Sequence, residues 1–413
     1  MSNDRAGEMP SELLDAAQGF GPDVVALRHE LHEWPELGLH TPRTRDAVLA
    51  ALEGLPLDIT LHRTTSGVAA LLTGARPGPT VLLRGDMDAL PLQEGTGEQW
   101  SSRIDGMMHA CGHDGHTSML VGAARMLSER RSDLAGRVLF MFQPGEENGC
   151  AGARHMLDEG LLDLSPHAVD GSPSPVERAY AIHLTPNAPT GVVISRSGPL
   201  MASSDRLTIV VTGRGGHASQ PHTALDPIPV ACEIVQALQT MVTRSIDVFD
   251  PGIITVGRIA AGTTSNVIPE SALIEGTVRA LSDTTRRRLH DGVRRVAEGI
   301  ASAHDLTVEV VLGEGYGVTV NDAAACDTVL SVAADVVGAG MTVRLATPTM
   351  GAEDFSFVVD RVPGAMMFLG CTAHERDFTK ADSNHSNRVL HDDAALPIGI
   401  ALHSALALHH LAR

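Results

Sequence analysis

Hydrophobic and polar positions follow two periodicities along the first half of the chain. Short apolar runs bounded by turn residues predict buried strands at 67–72, 80–84, 137–143 and 179–183. Apolar residues that recur every three or four positions predict helices at 22–34, 44–55 and 113–130. Strands that alternate with helices are typical of a mostly parallel sheet with helices on both faces. This half of the chain therefore predicts an α/β fold.

A different order of elements begins at about residue 204. The pattern predicts strands at 206–213, 253–259, 272–280 and 306–312, and helices at 226–243 and 283–304. This β-α-β-β-α-β order resembles a ferredoxin-like α+β module. The α/β pattern returns at about residue 315. We therefore predict one domain formed by 1–203 and 315–413, and a second, inserted domain formed by 204–314.

Length, charge and cysteine content narrow the class of protein. A chain of 413 residues exceeds what one core usually supports, and 43% hydrophobic content predicts a folded protein. A net charge of -19 would repel phosphate backbones and anionic lipid, so neither nucleic acid nor membrane is an expected partner. Residues 1–18 lack the features of a secretory signal, and five cysteines without a CxxC pair argue against a disulfide framework. We therefore expect a soluble, cytoplasmic protein.

Potential metal ligands and acids gather close to the ends of predicted strands. These groups are Asp86 and Asp88, the segment His109-Ala-Cys111-Gly-His113, the pair Glu146-Glu147, and the single histidines His183 and His385. Functional groups of open α/β sheets meet outside the carboxyl ends of the strands. We therefore expect these side chains to share one site.

The pair Cys111 and His113 allows three interpretations. A thiolate and an imidazole two residues apart, at a glycine turn before a helix, are able to bind zinc, manganese or cobalt. Cys111 is also a candidate nucleophile, activated by His109 or His113. The third interpretation is a buried thiol beside structural histidines. The residues alone leave the choice open.

The adjacent acids Glu146 and Glu147 favour metal chemistry. They follow a predicted strand and the turn Gln143-Pro-Gly145, and two neighbouring carboxylates are seldom buried together without a cation or a proton. Metal-dependent hydrolysis gives them separate roles, since one acid binds the ion and the other accepts a proton from water. A solvated loop is the alternative.

Six strings occur in one order over most of the chain. They are RGDMDALP, HACGHDGH, FQPGEE, GGHAS, SNVIP and GAEDF. This series closely resembles the M20 metallopeptidase family, and most of all its amidohydrolase branch, which includes aminoacylases, hippurate hydrolases and auxin-conjugate hydrolases. The resemblance implies that the discontinuous α/β domain is the metal-binding catalytic domain and that the insertion is a lid and dimerisation domain.

The resemblance also implies a site. Two divalent ions per chain (Zn, Mn or Co) would be held by Cys111, His113, Glu147, His183 and His385. Cys111 would bridge the ions, Glu146 would be the general base, and Asp88 would be the carboxylate that orients a ligand imidazole. Asp86 matches a position that is a ligand histidine in other branches, and it is left out of the metal set.

Some implied roles have competing interpretations. In relatives, proline and an aromatic residue often come after the last ligand histidine, whereas His385 is followed by Ser386-Asn-Arg388. His374 and His391 are therefore alternatives to His385 as the C-terminal ligand. The resemblance casts His217 and Asn266 as polar contacts to the substrate, with His217 stabilising the oxyanion. It casts Arg279 as a clamp for the substrate carboxylate. Ordinary surface residues are the alternative for His217 and Arg279.

The expected activity is hydrolysis of the amide bond of an N-acyl amino acid, a small-molecule substrate. Glu146 would activate a water held by the metal pair, and a homodimer would form through the inserted domain, with His217 reaching the partner's site. A dipeptidase or carboxypeptidase of the same family is the nearest alternative. A cysteine hydrolase using Cys111 and a non-catalytic metal-binding relative are further alternatives, which the intact pair Glu146-Glu147 disfavours.

Overall fold

The computed structural model of the chain describes residues 9–164, 167 and 170–411. The remaining residues, which belong to the predicted catalytic domain, lie outside the described part. The helices are α1 (Met9–Glu33), α2 (Pro42–Leu52), α3 (His113–Glu129), α4 (Gly152–Asp158), α5 (Pro227–Ser245), α6 (Asp283–Ala303), α7 (Ala323–Val337), α8 (Ser356–Val359) and α9 (Ala395–Leu411). The strands are β1 (Leu57–Leu61), β2 (Val68–Thr73), β3 (Arg76–Asp86), β4 (Ala135–Gln143), β5 (Val176–Pro189), β6 (Val193–Ser195), β7 (Gly198–Met201), β8 (Ser203–Thr212), β9 (Gly216–His217), β10 (Gly252–Ala261), β11 (Val267–Ile268), β12 (Ser271–Ala280), β13 (Thr307–Leu312), β14 (Thr319–Asn321), β15 (Thr342–Arg344) and β16 (Gly364–Thr372).

The larger sheet has a parallel centre and antiparallel flanks. Within the described residues its strand order is β1-β2-β4-β3-β5-β16-β6-β15. The central strands β4, β3, β5 and β16 are parallel, while β1, β2 and the β16–β6 pair are antiparallel. Strand β4 is buried at nearly every position, as expected for a strand covered on both faces. The carboxyl ends of β3 and β4 lie side by side, because Asp86 pairs with Gln143.

Helices cover this sheet, and one of them is longer than the sequence predicted. Helix α1 begins at Met9, whereas the sequence predicted a start at Pro22, because Leu13 and Ala17 also pack into the core. The loss of one backbone hydrogen bond at Pro22 is therefore offset by burial. Helix α9 is buried on nearly all sides, and α3 buries most of its length. The N-terminus of α3 is thereby fixed where Cys111 and His113 are found.

The second sheet is antiparallel, with the order β10-β12-β8-β13. In chain order this is 2-3-1-4, the arrangement of a ferredoxin-like fold. Strand β8 alternates buried and more accessible residues, and α6 buries Leu289, Val293 and Ala297 at a spacing of four. The hydroxyl of Ser282 caps α6 by accepting from the Thr285 N–H. The predicted fold class, an α/β domain with an inserted α+β module, is confirmed.

The chain divides into two compact units. The first contains the described residues up to Leu200, with Val320–Thr347 and those from Phe357 onward, and the second contains Met201–Thr319 and Pro348–Ser356. Each unit has its own cluster of buried hydrophobic residues. Among the described residues, no helix combines the length and hydropathy needed to cross a bilayer.

Candidate active site

Asp88 connects the ends of two neighbouring strands. It lies two residues beyond β3, and its carboxylate accepts the backbone N–H groups of Glu146 and Glu147, both at 2.9 Å. His113 Nδ1 donates to the main-chain oxygen of Asp88 at 2.8 Å, while the Asp88 carboxylate lies 3.6 Å away. Asp88 therefore holds the acid pair through its side chain and His113 through its backbone.

Gly112 shapes the turn between Cys111 and His113. Its φ of +86° lies in the left-handed region, which costs a residue with a Cβ about 1 kcal/mol or more. A Cβ at this position would also lie 3.2 Å from Leu184 Cβ and 3.3 Å from His391 Nε2. Glycine therefore lets the chain turn tightly, with Cys111 just before α3 and His113 at its first residue.

The predicted ligands form two groups that share Cys111. One group is Cys111, His113 and His183, and the other is Cys111, Glu147 and His385; in each, the ligand atoms all lie within 4.8 Å of one another. The ligand atoms of His113, Glu146 and Glu147 also lie within 4.8 Å of one another. Sulfur, nitrogen and carboxylate oxygen together suit borderline-soft divalent ions. Two donor groups that have Cys111 in common would suit two divalent ions, and the individual ligand assignments stay predictions.

Buried polar atoms also fit this interpretation. His113 Nε2 is buried and makes no hydrogen bond among the described residues. Burial, followed by the nearby charge of Glu147, raises the pKa of the Cys111 thiol. A nucleophilic cysteine needs the opposite shift, whereas a bound divalent ion itself supplies the charge that deprotonates a ligand thiol. His109 is buried with both ring nitrogens unpaired among the described residues, and no hydrogen bond joins it to Cys111.

His385 stands apart from the competing C-terminal histidines. Its Nε2 lies 3.2 Å from Glu147 Oε1, and hydrogen bonds from the His385 ring to Cys111 and Glu147 raise its pKa to about 10. Its φ of +71° is uncommon for a residue with a side chain, and its N–H donates to Ala110 O at 2.8 Å. His391 Nε2 instead donates to Asn384 Oδ1 at 2.9 Å. His374 is exposed and belongs to no donor group among the described residues.

Asp86 and His116 form a buried hydrogen-bonded pair beside His113. His116 Nδ1 donates to Asp86 Oδ1 at 2.6 Å, and His116 Nε2 accepts the Leu184 N–H at 2.7 Å. Both ring nitrogens of His116 are therefore occupied. The other Asp86 oxygen lies 2.6 Å from Arg84 Nη1 and 3.4 Å from His113 Nε2. Burial opposes a charged His113, but the neighbouring Asp86 and Cys111 outweigh it and raise the His113 pKa well above its usual value.

A buried ion-pair network supports the start of α3, and the sequence analysis missed it. Asp114, next to His113, accepts from Arg28 Nε at 2.9 Å and from His32 Nδ1 at 2.8 Å. His32 Nε2 lies 3.4 Å from Glu94. Burial opposes the charge of His32, but Asp114 outweighs it and the pKa of His32 is raised to about 9. The spacing of Arg28 and His32, one helical turn apart on one face of α1, was the available signal.

The remaining predicted residues belong to the second unit. His217 in β9 pairs with Val267 in β11, and the Ala218 N–H donates to Asn266 O, so His217 and Asn266 are neighbours. Both are exposed. The Ser219 N–H donates to His217 Nδ1 at 3.0 Å, which leaves the Nε2–H of a neutral ring free to donate outward. Arg279 in β12 is half-buried and donates to Met350 O at 2.7 Å. It has no carboxylate partner among the described residues.

Comparisons with known proteins identify the family to which the chain is similar. The family model for peptidase family M20/M25/M40 matches residues 82–409. Thermostable carboxypeptidase 1 of Saccharolobus solfataricus is 34% identical over 93% of this chain and 94% of its own length. N-acetylcysteine deacetylase of Bacillus subtilis is 36% identical over 87% of this chain and 91% of its own length. The crystal structure of the YXEP protein of Bacillus subtilis, a dinuclear metal binding peptidase from M20 family, superposes with a TM-score of 0.79 at 32% identity, covering 95% of this chain and 99% of that one.

The fold and the clustered donors define a metal-dependent hydrolase with a dinuclear site at the carboxyl edge of a parallel sheet. The family match and the relatives identify it further: the chain belongs to peptidase family M20/M25/M40. It is an enzyme, a metal-dependent amidohydrolase that uses two divalent ions.

Proposed function

We propose that this enzyme hydrolyses the amide bond of N-acyl amino acids and releases a carboxylic acid and a free amino acid. The observation that carries the proposal is the buried pair Glu146 and Glu147 beside His113, with ligand atoms within 4.8 Å of one another. One acid is sufficient for a structural ion. The second supplies the base that hydrolysis requires.

The proposed roles in the chemical step follow from the two acids. When bound, two divalent ions supply positive charge that polarises the amide carbonyl and makes the attacking water more acidic. The residues proposed to hold them are Cys111, His113, Glu147, His183 and His385. Glu146 accepts the proton of the attacking water at a carboxylate oxygen and delivers it to the departing nitrogen. The Asp88 carboxylate keeps Glu146 in place through the backbone N–H.

The second unit supplies the proposed substrate contacts. His217 donates from Nε2 to the oxygen that becomes negative, since Ser219 occupies Nδ1. Asn266, its neighbour, offers an exposed amide. Arg279 holds the carboxylate of the leaving amino acid, because a half-buried guanidinium with no acidic partner among the described residues is well suited to a bidentate carboxylate.

A substrate panel tests the proposal. Purified enzyme is assayed with N-acetyl, N-benzoyl and indole-acetyl amino acids and with dipeptides, each in the presence of manganese, zinc or cobalt. The proposal predicts the highest kcat/KM for an N-acyl amino acid. Turnover of dipeptides alone would contradict it.

A carboxypeptidase or dipeptidase is the second candidate. The 34% identity to thermostable carboxypeptidase 1 of Saccharolobus solfataricus favours it. Both activities place a free carboxylate beside the scissile amide, so Arg279 serves either. The dipeptides of the panel test for a dipeptidase, which must accept a free amino group on the acyl side. An N-blocked tripeptide tests for a carboxypeptidase, which must accept a peptide as the acyl group.

We also propose a cytoplasmic homodimer that uses zinc, manganese or cobalt and forms through residues 204–314. Within the described structure none of the five cysteines forms a disulfide, which is compatible with a reducing compartment. If His217 acts in the partner's site, a mixed dimer of Glu146→Gln and His217→Ala chains regains one intact site although each homodimer is inactive. If purified mixed dimers that carry metal recover no activity, His217 acts in the site of its own chain or takes no part in the reaction.

A further inference from the structure

The backbone of Leu184, directly after His183, is held at both its N–H and its carbonyl oxygen. Its N–H donates to His116 Nε2 at 2.7 Å. Its carbonyl oxygen accepts from His183 Nδ1 at 2.8 Å and from Asn384 Nδ2 at 3.0 Å. His116 and His183 are buried, so a lost partner here would leave polar groups without water. The two peptide units that meet at Leu184 cannot rotate without breaking hydrogen bonds, one at the N–H and two at the carbonyl oxygen.

These bonds fix the direction in which each imidazole donates. Because His183 Nδ1 donates to a carbonyl, a neutral His183 carries its lone pair on Nε2, which lies 3.5 Å from Cys111 Sγ. His116 accepts at Nε2, so its proton is on Nδ1, where it donates to Asp86 Oδ1. His183 therefore presents its free nitrogen toward the shared thiol of the two donor groups.

Asn384 connects the Leu184 carbonyl to the proposed C-terminal ligand, His385. It directly precedes His385, whose φ of +71° requires support from its surroundings. The Asn384 amide cannot flip, because its oxygen accepts from His391 Nε2 at 2.9 Å while its nitrogen donates to Leu184 O. One side chain therefore joins the segment that carries His183 to the segment that carries His385.

We propose that Asn384 is a positioning residue of the metal centre, which aligns His183 and His385 with each other through the carbonyl of Leu184, and that His116 holds the N–H of the same residue. The inference rests on the proposed function, since it takes His183 and His385 as metal ligands. It assigns Asn384 no contact with the ions or the substrate. Asn384→Ala should therefore weaken metal binding more than it weakens substrate binding.

The test compares Asn384→Ala with Asn387→Ala. Asn387 lies in the same loop, and its side chain makes no hydrogen bond among the described residues. Equilibrium dialysis of the whole chain against cobalt measures the affinity for each ion, and the visible absorption of bound cobalt reports its ligand geometry. Loss of a group that orients a ligand typically weakens metal affinity about 10- to 100-fold, so we expect that loss and an altered spectrum in Asn384→Ala only. His391→Leu, which frees the Asn384 oxygen, should change both readouts in the same direction and by less.

Wild-type cobalt affinity and an unchanged spectrum in Asn384→Ala would overturn the inference. The His183→Ala variant then shows whether the role of Asn384 or the proposed ligand set is at fault. If His183→Ala loses an ion while Asn384→Ala does not, the positioning role of Asn384 is wrong and the ligand set stands. If His183→Ala also binds two ions normally, the proposed ligand set itself is wrong. Asn384 is only partly buried, so Asn384→Ala is expected to fold, which circular dichroism and thermal unfolding verify.

Discussion

The two units hold their candidate functional residues in opposite ways. In the first unit the predicted ligands Cys111, His113 and Glu147 are buried. Asp88 orients the His113 ring through its main-chain oxygen and holds the backbone of Glu147 through its carboxylate. In the second unit His217 and Asn266 are exposed and belong to a two-stranded ribbon. A metal centre needs donors that are arranged and desolvated before the ion arrives, whereas a substrate contact has to remain accessible. Substitutions in the first unit should therefore act on metal content, and those in the second on substrate selectivity.

The largest expected effect separates the two adjacent acids. Glu146→Gln should keep both ions and lower kcat by at least about a hundredfold, because it removes the proposed base. Glu147→Gln should instead lose metal, since a neutral amide is a poorer ligand. Elemental analysis and steady-state kinetics of the two variants check this. The reverse behaviour would exchange the roles of Glu146 and Glu147.

The second prediction concerns Arg279 and the substrate carboxylate. Replacing Arg279 with Met should lower kcat/KM for an N-acyl amino acid by about 10- to 100-fold, because it removes a charged hydrogen-bonding partner. Metal content should not change. Arg258→Met is the control, since Arg258 lies on the neighbouring strand and pairs with Glu275 on the surface. If the wild type turns over the substrate and its carboxamide equally well, Arg279 does not bind the substrate carboxylate.

Gly112 provides a third test. Gly112→Ala should destabilise the protein by about 1–3 kcal/mol and weaken metal binding, because the new methyl would approach Leu184 and His391 in a left-handed backbone. Gly106→Ala is a matched control: its φ is +77° and a Cβ there meets no atom within 4 Å. Urea unfolding and cobalt titration of both variants separate the backbone cost from the contact. Equal metal affinities in the two variants would contradict the role given to the tight turn.

The smallest predicted effect depends on pH. The pKa of His32 is raised to about 9, so its charged pairing with Asp114 should stabilise the fold fully below about pH 6.5 and be lost as the pH rises through 9. The stability difference between wild type and His32→Gln should therefore shrink by roughly 2 kcal/mol between pH 6 and pH 10. His304→Gln, at an exposed pair with Glu233, should differ from wild type by less than about 0.5 kcal/mol throughout. A constant difference for His32→Gln would show that the charge of His32 does not stabilise this region.

The elements were more predictable from sequence than the contacts between them. Apolar runs identify β4 and the amphipathic α6 because burial imposes the periodicity directly. The short strands β6 and β15 have three residues each and carry too little pattern to be recognised. His116, His183 and Asn384, whose side chains bind the backbone of Leu184, lie far apart along the chain. Only the folded structure therefore reveals that they meet. Asp86 shows the same limit, because its spacing beside Asp88 gave no sign that it binds His116.

The most direct test of the dinuclear site is the metal content of active wild-type protein beside that of Cys111→Ser. Two divalent ions per wild-type chain, activity that a chelator abolishes and metal restores, and loss of metal in Cys111→Ser are the results we predict. Full activity in protein stripped of metal, together with inactivation by a thiol alkylator that metal does not block, would contradict the account and make Cys111 the nucleophile.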